Sequence, residues 1–312
     1  MRAVVVGEPG GPDALTTAEL PDPVSGAGQV VVAVEAAGVN PVDLGNRSDA
    51  RWSGVESPYV VGYEFAGTVA ELDGAPTDLI VGDPVWGLLP VRGTRWGAYA
   101  ERVAVDLAFV APRPAGLELV EAATLPLAGG TALQVLDRLG VPEGSWLLVH
   151  GAAGGVGHLM VQLAAIRGLR VVAVSGAADR QRLLGLGAEL WVDRAGPGSP
   201  AADAATRLGH DLDAAVDLVG GQLVRAQAHV RDGGRLATVV DLEGDFGEAI
   251  DRNLSIHGVL LRPGRDLLDS LAQAVVSGLR PAVRGVFDLA QASVAHEQLE
   301  AGGVGGKLAL TT

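Results

Sequence analysis

The chain has 312 residues, 48% of them hydrophobic and 19% charged, which excludes a disordered chain and suits about two domains at roughly 150 residues each. With 23 Lys and Arg against 37 Asp and Glu the formal net charge is −14, which argues against binding phosphate backbones or anionic membranes. No cysteine is present, so disulfides, thiolate metal ligands and a cysteine nucleophile are all excluded.

Ala3–Val6 is too short an apolar run for a secretory leader. Together with the cysteine-free composition it predicts a cytoplasmic protein. Short strands are predicted at Ala3–Val6, Gln29–Ala36, Ala66–Leu72 and Arg102–Val105, punctuated by Gly, Pro and Asp. That rhythm is β-rich and barrel-like. From Gly116 the texture changes. Leu119, Ala122, Ala123, Leu127, Ala132, Val135, Leu136 and Leu139 follow helical spacing, and Pro126 must kink or split the run.

Strands then alternate with helices. Trp146–His150 predicts a strand, Gly155–Arg167 a helix, Leu169–Val174 a strand and Asp179–Leu186 a helix. Further strands are predicted at Glu189–Val192, Ala214–Leu218 and Arg235–Val240, with helices at Ala201–Leu208 and Gly221–Val230. Apolar strands alternating with helices imply a parallel sheet covered on both faces. The uncharged stretch Gly144–Ile166 has the length of a bilayer span, but four glycines, two histidines and Gln162 interrupt it, as a strand, turn and helix would. Helices at Asp266–Val276 and Ala290–Leu299 precede a terminal strand, Lys307–Leu310, expected to return to the first unit.

The strongest local signal is Val149-His150-Gly151-Ala152-Ala153-Gly154-Gly155-Val156-Gly157. From Ala152 it reads A-x-G-x-x-G, placed between an apolar strand and a helix. Gly154 would let the backbone approach a pyrophosphate, Gly157 would let helix and sheet pack closely, and free N–H groups would face the anion. The alternative is a purely structural tight turn. Beyond the next strand, Ser175-Gly176 stands where an acidic residue would bind a ribose 2′-hydroxyl. Arg180 and Arg182 follow. A small hydroxyl beside guanidinium groups favours NADPH over NADH, unless the arginines are a solvated face.

Several segments jointly resemble the medium-chain dehydrogenase/reductase superfamily, in its zinc-free quinone oxidoreductase-like branch. They are Ala36-Ala37-Gly38-Val39-Asn40-Pro41-Val42-Asp43, Gly62-Tyr63-Glu64-Phe65-Ala66-Gly67-Thr68-Val69, Gly82-Asp83-Pro84-Val85, Gly97-Ala98-Tyr99-Ala100-Glu101, Ala123-Thr124-Leu125-Pro126 with Thr131-Ala132, Asp213 to Gly221, and Gly306-Lys307-Leu308-Ala309-Leu310. The resemblance implies an α/β protein: a GroES-like β-barrel catalytic domain over 1–117, a doubly wound Rossmann domain over 118–262, and a segment over 263–312 returning to the catalytic domain. It further implies a homodimer and a substrate cleft between the domains. Zinc members use Cys and a Gly-His-Glu. Here Tyr63 stands at the His position and Cys is absent, so a zinc site is not expected.

By position in the matched segments, Asn40 is expected near the nicotinamide, or else bracing a turn before Pro41. Thr131 would contact the nicotinamide or cap a helix. Val219 and Val240 end sheet strands at the cofactor, Val240 beside the nicotinamide or simply in the core. The cofactor-binding set is then Thr131, Ala152, Ala153, Gly154, Gly155, Val156, Gly157, Ser175, Arg180, Val219 and Val240. Leu44-Gly45-Asn46-Arg47 replaces a tyrosine common in the family. Asn46, Arg47, Tyr59 and Tyr63 are its candidate substitutes, so the catalytic set is Asn40, Tyr63 and Arg47. Trp52, Trp86 and Trp96 would wall a flat substrate or serve as packing. The chemistry implied is metal-free hydride transfer from NADPH to a quinone or α,β-unsaturated carbonyl. A stand-alone enoyl reductase, a non-redox enzyme and a catalytically weak NADPH-binding sensor or structural protein stay open.

Overall fold

A computed structural model describes residues 1–312 apart from Trp52 and Pro76. In chain order the elements are β1 (Arg2–Val6), β2 (Leu15–Glu19), β3 (Gln29–Val39), α1 (Pro41–Ser48), β4 (Tyr59–Val60), β5 (Glu64–Leu72), β6 (Pro84–Leu88), β7 (Arg102–Asp106), β8 (Val110–Pro112), α2 (Leu119–Thr124) and α3 (Pro126–Leu139). There follow β9 (Trp146–His150), α4 (Gly157–Ile166), β10 (Arg170–Ser175), α5 (Arg180–Gly185), β11 (Ala188–Asp193), α6 (Pro200–Leu208), β12 (Leu212–Asp217), α7 (Leu223–Ala226), β13 (Val230–Thr238), α8 (Gly247–Asp251) and β14 (Ser255–Gly258). The chain ends with α9 (Arg265–Val276), β15 (Val283–Asp288), α10 (Ala292–Glu300) and β16 (Lys307–Thr311). Two compact units result: Met1–Gly130 with Arg262–Thr312, and Thr131–Leu261.

In the first unit a large sheet runs β15-β16-β3-β5-β6-β8, with β7 paired to the start of β3. A second sheet runs β2-β1-β4. Val30, Val31 and Val32 are all buried, so β3 is a core strand rather than a half-exposed one. Its end pairs antiparallel with β16, Val39 opposite Leu308 and Gly38 opposite Ala309. The last strand thus returns to the first unit, and carries Lys307 to the end of β3.

Pro126 splits the long helical run because it stands at the first position of α3, where its missing N–H costs nothing. The sequence boundary at 117/118 precedes α2. In the structure α2 packs on β3 and β5 and belongs to the first unit.

The second unit is a six-stranded sheet in the order β11-β10-β9-β12-β13-β14, parallel throughout. The order reverses between β9 and β12. Doubly wound sheets hold ligands outside the carboxyl ends of their strands at such a reversal. Leu148, Val172, Val174, Val192, Leu212 and Leu236 bury one face. The helix expected over Gly221–Val230 is shorter, with α7 giving way to a 3-10 turn at Gln227–His229.

Candidate functional site

In the first unit, polar side chains converge at the end of β3. The Asn40 side chain is 1% exposed. Its Nδ2 donates to Glu64 Oε1 at 2.8 Å and its Oδ1 accepts from Lys307 Nζ. Lys307 also pairs with Glu64 Oε1 at 2.8 Å and donates to Val39 O at 3.2 Å, which uses all three of its donors. Glu64 Oε2 accepts the Leu127 N–H at 2.7 Å, placing the carboxylate at the positive end of α3. Gly38 makes this approach feasible: a Cβ there would lie 2.6 Å from Glu64 Cδ.

Asp43, fully buried on α1, accepts the Asn40 N–H at 2.7 Å and the Tyr99 hydroxyl at 3.1 Å, both on Oδ2. Its Oδ1 has no partner. Burial raises its pKa to about 7, opposed by the Asn40 N–H, Lys307 and Tyr99. Beyond Tyr99 lie His296 (Nε2, 3.1 Å) and then Arg47, whose Nη1 is 3.3 Å from His296 Nδ1. Arg47 is a donor only, so His296 Nδ1 accepts and its Nε2–H points to Tyr99. The chain of donors therefore runs one way, Arg47 to His296 to Tyr99 to Asp43. Burial, with help from the Arg47 charge, lowers the His296 pKa to about 3 and keeps it neutral. Arg47, 3% exposed, also donates to Glu300 Oε1 at 2.5 Å and to Gly10 O at 3.1 Å. The Tyr63 hydroxyl, in a residue 1% exposed, accepts from Asn46 Nδ2 at 2.6 Å, and burial pushes its pKa up.

The structure thus places Asn40, Tyr63 and Arg47 in one unit, each buried and engaged. Tyr59 donates to Asn46 O at 2.7 Å. Trp86 is fully buried and Trp96 is 45% exposed, while Trp52 lies outside the described residues. Sequence reasoning passed over Lys307, Glu64, Asp43, Tyr99 and His296. One signal was available: Lys307 is the chain's only lysine, its other basic residues being arginine.

In the second unit the glycine turn joins β9 to α4 at the carboxyl edge of the sheet. Gly151 has φ +80, Ala152 is buried, Gly154 is exposed, and Ala153, Gly155 and Val156 are partly so. A Cβ on Gly157 would lie 2.7 Å from Ala152 Cα, whereas one on Gly154 would meet nothing closer than Gly151 O at 3.4 Å. The protein itself therefore demands glycine at 157 but not at 154. The positive end of α4 lies at this turn, where its His158 N–H donates to Gly154 O at 3.1 Å and its Met160 N–H to Val156 O at 2.9 Å. His150 Nε2 is buried without a partner, and burial lowers that ring's pKa to about 4.

Ser175 ends β10, 4% exposed; its Oγ donates to Gly176 O and accepts from Trp191 Nε1 at 2.9 Å. The Arg180 guanidinium lies 5.6 Å from the Trp191 ring centroid. Arg182 Nη2 donates to Ala153 O at 3.1 Å and pairs with Asp179 at 2.6 Å, leaving Nη1 buried and unpartnered. The sequence reading also passed over Arg194, an exposed residue whose Nε would be 3.8 Å from a Cβ on Gly176. Val219 is 61% and Val240 38% exposed, both just past strand ends. Asp217 accepts the Val219, Gly220 and Gln222 N–H groups and sets the turn carrying Val219. Thr131 lies on α3, buried.

The family described as alcohol dehydrogenase GroES-like domain matches residues 26–115, and that described as zinc-binding dehydrogenase matches residues 186–310. A crystal structure of an NAD-dependent alcohol dehydrogenase is 31% identical with a TM-score of 0.92, covering 100% of both chains. The chain belongs to the medium-chain dehydrogenase/reductase superfamily. Within this superfamily of NAD(P)-dependent oxidoreductases it falls in the quinone oxidoreductase-like branch. The quinone oxidoreductase from Coxiella burnetii is 29% identical with a TM-score of 0.88, over 100% of this chain and 99% of that one. The chloroplastic NADPH-dependent alkenal/one oxidoreductase of Arabidopsis thaliana is 35% identical over 202 residues, 62% of this chain and 52% of that protein. The chain spans about half the length of the curated relatives it matches.

The superfamily implies a nicotinamide dinucleotide, and the second unit fits one. Gly154 offers backbone with no side chain in the way, Arg182 Nη1 lacks a partner, and no carboxylate ends β10. A catalytic zinc does not fit. The chain lacks cysteine, and both Glu64 oxygens are taken by Lys307, Asn40 and the Leu127 N–H. Among the described residues no helix is long and apolar enough to cross a membrane.

Proposed function

We propose that this chain is an NADPH-dependent, zinc-free reductase that transfers hydride to an α,β-unsaturated carbonyl or a quinone. The observation that carries the reading is the end of β10. Ser175-Gly176 presents no acid, and the Arg194 guanidinium stands over Gly176 where a ribose 2′ position falls in this fold. A 2′-phosphate there finds the Arg194 cation, and β10 itself ends in no carboxylate that would accept from a 2′-hydroxyl. Arg194 takes the role the sequence suggested for Arg180, whose guanidinium lies against Trp191. The likeness to the Arabidopsis alkenal/one oxidoreductase and the Coxiella quinone oxidoreductase supports an enone or quinone acceptor.

Bound at the glycine turn, a reduced nicotinamide supplies a hydride. The backbone at Ala153–Gly157 holds the diphosphate, with Gly154 allowing close approach. Val219, Val240 and Thr131 would flank the cofactor. Asn40, Tyr63 and Arg47 act as positioning residues, because each is buried and already engaged. Water supplies the proton that completes the reduction. The reading extends to a cytoplasmic homodimer with Thr131–Leu261 as its cofactor unit.

The test is oxidation of NADPH and of NADH, followed at the nicotinamide absorbance, against a panel of enones, quinones and alcohols without added metal. Enone- or quinone-dependent oxidation with NADPH preferred supports the proposal. NADPH binding without turnover of any acceptor would instead favour the sensor or non-redox readings.

A further inference from the structure

The buried centre of the first unit holds two carboxylates and one ammonium. Glu64 is satisfied by Lys307, Asn40 Nδ2 and the Leu127 N–H. Asp43 is the second carboxylate, and no cation touches it. The groups facing it are the Asn40 N–H on its own helix and, from other elements, the Tyr99 hydroxyl, Tyr63, Glu64 on β5 and Lys307 on β16. His296 on α10 and Arg47 on α1 stand behind Tyr99. With both carboxylates ionised the centre carries one uncompensated negative charge away from water, which is costly. Asp43 Oδ1, buried and without a partner, is the open position for a proton.

We infer that Asp43 is a proton-linked positioning residue: ionised, its Oδ2 clamps the Asn40 backbone and the Tyr99 hydroxyl, and protonated on Oδ1 it holds both more weakly. Hydrogen bonds to an ionised acceptor are roughly twice as strong as neutral ones. The proton comes from water and no other bond changes. The clamp acts where β3 hands over to α1, at the residue whose side chain joins Lys307 to Glu64. The upward pKa shift of Asp43 puts the exchange in the neutral range. The inference rests on the reductase reading only for its kinetic consequence.

The experiment follows the Asn40 backbone amide by NMR in the isotope-labelled full chain from about pH 5 to about pH 9, beside the pH profile of kcat. The wild-type amide resonance is expected to titrate once near neutrality. Asp43→Asn is expected to abolish that titration. Tyr99→Phe, which removes a hydrogen bond to the charged form, is expected to raise the midpoint by about one unit. Lys307→Met should raise it further, and if that variant fails to fold the other two decide the matter. An amide that does not titrate, or one that still titrates in Asp43→Asn, overturns the inference. For turnover, wild-type kcat is expected to rise across the same midpoint and Asp43→Asn to lose that limb. A merely structural aspartate would lower activity without moving the profile. If no acceptor is reduced at any pH, the reductase reading fails while the amide titration still decides the role of Asp43.

Discussion

Lys307, the only lysine in the chain, pairs with the fully buried carboxylate of Glu64 at 2.8 Å and joins the last strand to the end of β3. Its three donors go to Glu64, Asn40 and Val39 O. A compact ammonium can reach three divergent acceptors, and a planar guanidinium cannot replace it in the same space. Lys307→Met leaves Glu64 buried and unpaired, and is expected to destabilise the chain by about 3–5 kcal/mol. Lys307→Arg is expected to recover only part of that loss. Equilibrium denaturation in urea checks both, and a Lys307→Arg variant as stable as wild type would contradict the geometric argument.

Gly154 and Gly157 separate two uses of glycine in one turn. A Cβ at 157 meets Ala152 Cα at 2.7 Å, so Gly157→Ala forces the backbone apart and is expected to cost about 1–3 kcal/mol even without cofactor. A Cβ at 154 has ordinary contacts inside the protein. Gly154→Ala is therefore expected to keep the apo stability and to weaken NADPH binding tenfold or more, since the added methyl stands where the diphosphate approaches. Thermal midpoints without ligand and titrations with NADPH distinguish the two.

Arg194 is expected to set the cofactor preference. A charge-assisted hydrogen bond to phosphate contributes roughly 1.5–3 kcal/mol. Arg194→Ala should thus weaken NADPH binding by about tenfold or more and leave NADH nearly unchanged. Arg180→Ala should do less, its guanidinium lying against Trp191. Calorimetric titration with each nucleotide decides between them.

The histidines make stability depend on pH. His150 is held at about 4 and His296 at about 3, both by burial, against 6.5 for an ordinary ring. A depressed folded pKa gives stability that is present above the unfolded value and lost as pH falls below it. For His150 the loss runs from about pH 6.5 to about pH 4 and is on the order of 3 kcal/mol. His150→Gln is expected to flatten the urea midpoint over that window. Asp43, raised to about 7, acts oppositely: its contribution is present at low pH and is lost as pH rises towards neutrality. Asp43→Asn should therefore steepen the acid loss.

Much of the second unit was legible because local rules agree there. Trp146–His150 forms a strand with the bounds its apolar run predicts, and the glycine turn ends it with Gly151 at positive φ. The first unit was read less fully. Helix α1 escaped because Pro41–Ser48 has little apolar periodicity and is held by buried polar contacts instead. The roles of Asn40, Arg47 and Tyr63 were also hidden from the sequence. Their partners Lys307, Glu300, His296 and Glu64 are distant in the chain, and only the pairing of β16 with β3 and the packing of α10 bring them near. Arg194 escaped because it becomes a neighbour of Gly176 only through the parallel pairing of β10 with β11.

NADPH held at the glycine turn is expected to reduce a conjugated acceptor without a metal, and single-turnover oxidation of NADPH by an enone in the presence of a chelator, with the product identified, measures this. One saturated carbonyl is expected for each NADPH consumed, at a rate indifferent to chelation. No oxidation by any enone or quinone, or activity that appears only on adding zinc, would contradict it.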